Sequence, residues 1–508
     1  MRTLLKKIHF SLFLAIISCA QTSDHPDNQL AAFGKDPLSE IKTAVMELDA
    51  DSAMRYGHLG ISIRSVRTGE ILLEQNARKA MVIASNMKLV TTLSALEILG
   101  DDFKFQTSLE YNGTLPPDGT LNGNLYIRGG GDPTLGSDRV TGSLDMDALM
   151  RLWVEKIRAA GMRKIQGNII ADDEIFNENV IPNGWTWSDI GNYYGAATFG
   201  LNINDNMYNV YLETGKKVGD PTRLVRTSPV MKDISFVNEV TTGPAGSGDQ
   251  SYIYGAPYTY HRAMQGTVPM GNSAFVVRGS LPDPPLFTAQ ELRDALQRAG
   301  VTISGSATSV RILRQQKRNN SDIPTRKVVY THFSPPLTAI VEQTNLRSMN
   351  LYAETMLKMM GIKQLNKSTT WESTEAVKNF WAQKRIDING FFMRDGSGLS
   401  RSNALPPDFL TQLLVFATKQ PYFNSFYKSL PVSGISGTMK SIGAGTAAAG
   451  NLRAKTGTLD RMSSYSGYFK TQSGELMAFA FVANDYAGRE KDFRRKAEKI
   501  LVLLAGLP

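Results

Sequence analysis

The sequence predicts a mixed α/β chain carrying a large β-rich insertion, and three observations predict it. Hairpin-forming runs stand near both ends of the chain, each next to a helical run. Between residues 103 and 284 the texture changes to short β-like runs split by Gly, Asn, Pro and Asp clusters. From about residue 286 helical runs return and continue to the closing hairpin and helix.

The elements follow in order. LSEIKTAVMELD (38–49) reads as a helix, and GHLGISIRSV and ILLEQN flank RTGE (67–70), a hairpin turn signal. ASNMKLVTTLSALEILG (84–100) reads as one amphipathic helix, with Leu89, Leu93, Leu96 and Leu99 three or four apart and a terminal glycine. The β-like runs of the insertion are GNLYIRG, QGNIIADD, MYNVYLET and AFVVRGS, with MDALMRLWVEKIRAAG as a lone helix. Helices are expected at FTAQELRDALQRAG, LTAIVEQTNLRSMNLYAETMLKMMG (337–361) and STEAVKNFWAQKRI. QQKRNNSDIPTRK (315–327) reads as a polar surface loop. SYSGYFKTQSGELMAFAFVAN reads as a hairpin whose second strand is buried, because it is nearly continuous in apolar residues. EKDFRRKAEKILVLLAG closes the chain as a helix.

The chain has 508 residues, 42% hydrophobic and 20% charged, enough for a sizeable core. Its formal charge is +9, but Arg2, Lys6 and Lys7 supply three of those charges and no basic stripe of the kind nucleic acid needs is seen. Residues 1–20 read as a signal segment: basic MRTLLKK, then the apolar run IHFSLFLAIIS, too short to span a bilayer comfortably. Cys19, the single cysteine, falls in IISC, which resembles a bacterial lipoprotein cleavage box. Cleavage after Ala20 is the other reading. Both send the protein out of the cytoplasm to the cell envelope or periplasm, lipid-anchored in the first case. Residues 21–36 read as a tether. One cysteine leaves no internal disulfide and no thiolate metal site.

At the start of the 85–99 helix Ser85 and Lys88 leave the same face. A desolvated lysine, or one beside another cation, can act as general base to a serine. Free N–H groups at a helix start can stabilise a developing oxyanion. The pattern alone is weak, because Ser39–Lys42 and Ser425–Lys428 repeat it. Two further motifs give it weight. Ser348-Met349-Asn350 is the S-x-N found in the chain, and Lys455-Thr456-Gly457 the K-T-G, on a short strand leading into the last hairpin, where the glycine is expected to let a substrate backbone approach.

In this order the three motifs match the S-x-x-K, S-x-N and K-T-G set of the penicillin-binding protein and serine β-lactamase superfamily. DGSGLSR (395–401), LPVSGISGTM (430–439), RGGGDPTL (128–135) and SPPLTAIV (334–341) resemble segments of the low-molecular-mass class C penicillin-binding proteins, peptidase family S13 of the penicillin-binding protein 4 type. The resemblance implies an antiparallel sheet between helical layers, with a catalytic body from 37–102 plus 285–508 and an insertion at 103–284, described in the family as two subdomains. It implies a D-Ala-D-Ala carboxypeptidase and endopeptidase acting on peptidoglycan stem peptides and acylated by β-lactam antibiotics, with no cofactor or metal. Ser85 is then the nucleophile and Lys88 its base. Ser348 and Lys455 relay a proton to the leaving amine, and Asn350 holds a substrate amide. The N–H groups of Ser85 and Thr458 form the oxyanion hole. Thr456, Gly457 and Thr458 take a carboxylate, while Arg401 and Asp172 lie near the substrate. Asp460 and Met349 depart from the better-known members, and both are expected to touch substrate preference.

Other readings have less support. A Ser-His-Asp hydrolase would draw on His58, His261 or His332, none in a recognisable motif. A metal hydrolase would need H-E-x-x-H or a Cys/His cluster, and RGGGDP lacks the Gly-Lys-Ser/Thr of a P-loop. A serine esterase or β-lactamase, or an idle cell-wall-binding lipoprotein, remains an alternative on the same fold. Oligomeric state is left open.

Overall fold

The computed structural model describes residues 37–176, 179–317 and 325–508. The signal segment, the tether and Cys19 lie outside the described residues, as does the middle of the polar loop, 318–324. The start of that loop continues the helix Val310–Lys317, and its end opens the strand Lys327–Phe333.

A five-stranded antiparallel sheet organises the body that holds both ends of the described chain, in the order Arg453–Leu459, Met462–Lys470, Leu476–Asn484, His58–Ser65, Ile71–Gln75. Both expected hairpins are present, and they join along Leu476–Asn484 and His58–Ser65. Alternation in LMAFAFVAN explains the layers on either side. Phe479, Phe481 and Ala483 point into a core shared with the first and last helices, Pro37–Asp49 and Glu490–Ala505. Ala478, Ala480 and Val482 point the other way, against Leu89, Leu93, Met356 and Trp381 of the helical layer. Large side chains on one face and small ones on the other let the helical layer lie close to the sheet. Full burial of each phenylalanine stabilises by about 1.5–3 kcal/mol.

Three expectations change. The helix expected to be amphipathic begins as a 3-10 turn at Ala84–Asn86 and runs Met87–Leu99, with every residue from Met87 to Leu96 buried. It is the central helix of its layer, so its polar residues are interior groups. The helix expected over 337–361 is two helices, Leu337–Arg347 and Asn350–Leu365, broken where Ser348 takes a left-handed conformation at φ 59°. The insertion also ends later than 284. Helix Pro284–Arg298 buries Phe287, Leu292 and Leu296 in the core of the insertion. Strands Ala307–Ser309 and Lys327–Phe333 complete a sheet with Ile169–Asp172, Leu125–Arg128 and Gln106–Tyr111. Residue 333 therefore replaces 284 as its far boundary. The strands of its four sheets share one apolar cluster, from Leu109 to Ile303. Strands such as Arg223–Ser228 and Gln250–Tyr254 escaped the sequence reading because they are short and largely polar or exposed.

Candidate active site

Ser85 sits in the 3-10 turn that opens the buried helix, directly after Ala84, whose φ is 46°. A non-glycine residue in that region carries strain that its surroundings must hold. Two glycines do so. A Cβ on Gly398 would fall 1.9 Å from the Ala84 carbonyl oxygen, and one on Gly457 2.5 Å from that of Ile83 and 3.0 Å from the Ser85 nitrogen. Gly457 thus makes room for the turn bearing Ser85, rather than for a substrate backbone. Ser464 on the neighbouring strand donates to the Ile83 carbonyl at 2.6 Å and is bonded by the buried Asn86 amide, which ties the turn to the sheet.

Lys88, one turn further on, has no exposed surface. Its Nζ stands 3.0 Å from Ser85 Oγ, 2.6 Å from Asn350 Oδ1 and 2.5 Å from the Ser397 carbonyl. Burial brings its pKa down to about 7, against the opposing pull of Asp395 and Glu354. Asn350 Nδ2 donates to the Tyr194 carbonyl at 2.7 Å, which fixes the orientation of the amide and leaves Oδ1 toward the lysine. The consequence is chemical. A neutral amine has two hydrogens and one lone pair. Asn350 Oδ1 and the Ser397 carbonyl can only accept, so they take the hydrogens, and the lone pair is left for the Ser85 hydroxyl.

The third motif joins from the edge strand. Lys455, equally buried, donates to Ser348 Oγ at 3.0 Å and to the Thr456 carbonyl at 2.7 Å. Burial, and then the charge of Lys88, hold it well below its ordinary pKa. The left-handed Ser348 turns the chain between two helices, so that Ser348 and Asn350 reach different lysines. Thr456 donates to Thr438 Oγ1 at 2.8 Å, giving the SGT of LPVSGISGTM a place beside the K-T-G strand.

These groups open into a cleft of about 430 Å³, lined among others by Ser85, Ser348, Asn350, Leu399, Arg401, Thr458 and Asp460 from the catalytic body. Ser188, Asp189, Tyr193, Tyr194, Asp205 and Tyr252 of the insertion line its other wall. The structure therefore brings together Ser85, Lys88, Ser348, Asn350, Lys455, Thr456, Gly457, Thr458 and Arg401. It does not bring Asp172. That carboxylate is buried in the sheet of the insertion, paired with Arg326 at 2.6 Å, and is not among the cleft-lining residues. The acids that the insertion turns to the cleft are Asp189, held by Thr186 Oγ1 at 2.6 Å, and Asp205.

Sequence reasoning also missed the acids beneath Lys88. The backbone N–H groups of Gly396 and Ser397 donate to Glu354, and those of Gly398 and Ser400 to Asp395. Burial and then the Asp395 charge push Glu354 upward. With its N–H groups turned inward, the DGSG loop offers the Ser397 carbonyl to Lys88. Trp185 of the insertion donates to Asp395 at 2.8 Å, and Tyr352 donates to Asp205 at 2.8 Å. The insertion thus braces the site from three sides, counting Tyr194. The spacing of DGSG marked the loop, but nothing in it marked its partners.

A pH dependence follows from Lys88. The lone pair exists only in the neutral form, whose fraction rises as pH climbs through about 7. The acylation rate should therefore rise with pH across that value and fall about 10-fold per unit below it, as stopped-flow measurement of penicillin acylation from pH 5 to 9 would read. A flat profile would remove Lys88 as the base.

The chain also matches known proteins over most of its length. The model of the D-Ala-D-Ala carboxypeptidase 3 (S13) family matches residues 41–506. A D-alanyl-D-alanine carboxypeptidase from an Actinomadura species is 28% identical over 463 residues, 89% of this chain and 82% of that protein. A D-alanyl-D-alanine carboxypeptidase from Haemophilus influenzae is 23% identical over 86% of this chain and 88% of its own. The crystal structure of penicillin binding protein 4 from Haemophilus influenzae superposes with a TM-score of 0.75 at 21% identity, covering 92% of this chain and 97% of that one, and so shares the fold. With the family model spanning nearly all of the described residues, this chain belongs to the D-Ala-D-Ala carboxypeptidase 3 (S13) family.

Proposed function

We propose that this protein is a serine-type D-Ala-D-Ala carboxypeptidase and endopeptidase, acting on peptidoglycan stem peptides through an acyl-enzyme on Ser85, and that β-lactams acylate the same serine. The observation that carries the reading is the placement of the buried Lys88 Nζ, 3.0 Å from Ser85 Oγ with Asn350 Oδ1 and the Ser397 carbonyl as its other partners. Lys88 takes the Ser85 proton as Oγ attacks the carbonyl carbon of the penultimate D-Ala. The N–H groups of Ser85 and Thr458 receive the oxyanion, each worth ~10²–10³ in rate in comparable acyl transfers. Collapse breaks the C–N bond, and Ser348 and Lys455, hydrogen-bonded to each other at 3.0 Å, relay to the departing amine the proton that Lys88 took from Ser85. Water then hydrolyses the ester. Thr456 and Thr458 beside Lys455 suit the terminal carboxylate.

Wild-type protein should release free D-Ala from a pentapeptide and carry a penicilloyl adduct on the peptide containing Ser85. Mass spectrometry finding the adduct elsewhere, or none, would end the proposal. Asp189, Asp460 and Arg401 on the cleft walls suit a stem-peptide side chain that carries charge. We expect Asp189→Asn to raise KM for such a peptide by about 10-fold with kcat little changed. Asp172→Asn should instead leave KM alone and lower Tm by a few degrees, since it removes the closer of the two buried carboxylates paired with Arg326 and leaves Glu110 at 3.6 Å.

Export to the cell envelope, with lipid attached at Cys19, completes the reading, supported by the basic and apolar pattern of residues 1–20. Metabolic labelling with a tagged fatty acid tests the anchor, and label persisting in Cys19→Ser would refute it.

A further inference from the structure

At the rim of the cleft and outward from it, the insertion exposes aromatic rings. Trp187 is 56% exposed, Tyr193 46% and Tyr252 44%. They are not scattered. Trp187 and Tyr254 have centroids 6.3 Å apart with planes 30° apart, and Tyr254 and Tyr252 follow at 6.4 Å and 34°. Tyr252 and Tyr254 alternate with the buried Ile253 along Gln250–Tyr254, so both point outward from an edge strand. The row is also held in place. The Ile253 N–H donates to Asn192 Oδ1 at 3.0 Å, and Asn192 Nδ2 donates to the Ser188 carbonyl at 2.6 Å. Gly191 fits against that strand where a Cβ would meet the Ile253 carbonyl oxygen at 1.9 Å. The short helix bearing Trp187 is thereby clamped to the strand bearing the tyrosines.

A contiguous aromatic surface, exposed at Trp187 and Tyr252 and half-buried at Tyr254 between them, marks a binding site, and this one runs out of the catalytic cleft, since Tyr193 and Tyr252 already line it. The function proposed above states what must lie there. A stem peptide entering the cleft by its D-Ala end is bonded at its other end to a sugar chain. We propose that Trp187, Tyr254 and Tyr252 form a shelf on which the glycan strand of polymeric peptidoglycan rests, with the C–H faces of its pyranose rings on the aromatic faces. A second stem peptide is the competing occupant, but its charged groups call for ionic partners. Those stand in the cleft, as Asp189, Arg401 and Asp460, whereas the shelf presents rings. The inference rests on the proposed carboxypeptidase activity and adds a preference for polymer over free peptide.

The test compares Trp187→Ala and Tyr254→Ala with wild type on three substrates: pentapeptide-rich sacculi, a free pentapeptide, and a crosslinked peptide dimer freed of glycan. We expect kcat/KM on sacculi to fall about 10-fold, with both soluble substrates and the rate of penicillin labelling within about 2-fold of wild type. Equal loss on all substrates, or no loss on sacculi, would overturn the shelf. Loss on the dimer matching that on sacculi would assign the shelf to a second stem peptide and overturn the glycan. Peptide-free glycan chains should also quench tryptophan fluorescence in wild type and not in Trp187→Ala; quenching that survives the substitution counts against the shelf. Failure of wild type to label with penicillin or to release D-Ala would instead strike the carboxypeptidase reading, so the two failures are distinguishable.

Discussion

Ser85→Ala should lose covalent labelling by fluorescent penicillin altogether and reduce D-Ala release by ~10⁴-fold or more, the scale seen when a covalent nucleophile is removed. The loss should be chemical and not structural. Among the described residues the Ser85 hydroxyl hydrogen-bonds to Lys88, and the turn that carries it is held by other groups: Gly398, Gly457 and the Ser464 bond to the Ile83 carbonyl. The variant should keep its circular dichroism and a Tm within a few degrees of wild type. The two other Ser-x-x-Lys pairs make internal controls. Ser39 and Lys42, like Ser425 and Lys428, are exposed, and neither lysine has the burial that would make it a base. Ser39→Ala and Ser425→Ala should label at the wild-type rate. Labelling of Ser85→Ala on a denaturing gel would refute the nucleophile assignment.

Lys88→Ala should acylate at least ~10²-fold more slowly, the ordinary cost of a lost general base. Here the structural side needs more care. Lys88 is buried together with Glu354 and Asp395 and interacts with both, so its removal takes away the positive charge that its protonated form sets beside those two carboxyl groups. Their backbone donors remain: Gly396 and Ser397 for Glu354, Gly398 and Ser400 for Asp395. We therefore expect a folded protein with a lowered Tm. It should still bind penicillin reversibly, because Lys455, Thr456 and Thr458 are untouched. Slow acylation with intact reversible binding separates loss of the base from collapse of the cleft. A variant that acylates at the wild-type rate would pass the role to another group, with Lys455 the first to examine.

Much of this site could be read from the chain. Ser85, Lys88, Ser348, Asn350 and Lys455 were marked by type and spacing, and Arg401 by the segment around it. The two hairpins were marked by alternation and turn residues, and their buried shared strand by its run of apolar residues. What escaped reading shares one physical character. Glu354 and Asp395 are 41 positions apart by number and meet only in the folded interior, beneath the DGSG loop. Nothing in the sequence shows that Arg326 claims Asp172, because a carboxylate in a β-like run carries no sign of its partner. The break at Ser348 interrupts a continuous helical pattern, and only packing of both helices against the body explains why the chain tolerates φ 59° there.

The sequence by itself determined which elements form and which residue types could perform acyl transfer, because periodicity, turn chemistry and motif spacing are local properties of the chain. The tertiary structure decided which of those residues stand together and in what surroundings. Burial moves the Lys88 pKa to about 7, while the amide held by Tyr194 and the inward-turned DGSG loop reserve its lone pair for Ser85. Desolvation and orientation come from neighbours hundreds of positions away, and no local pattern encodes them.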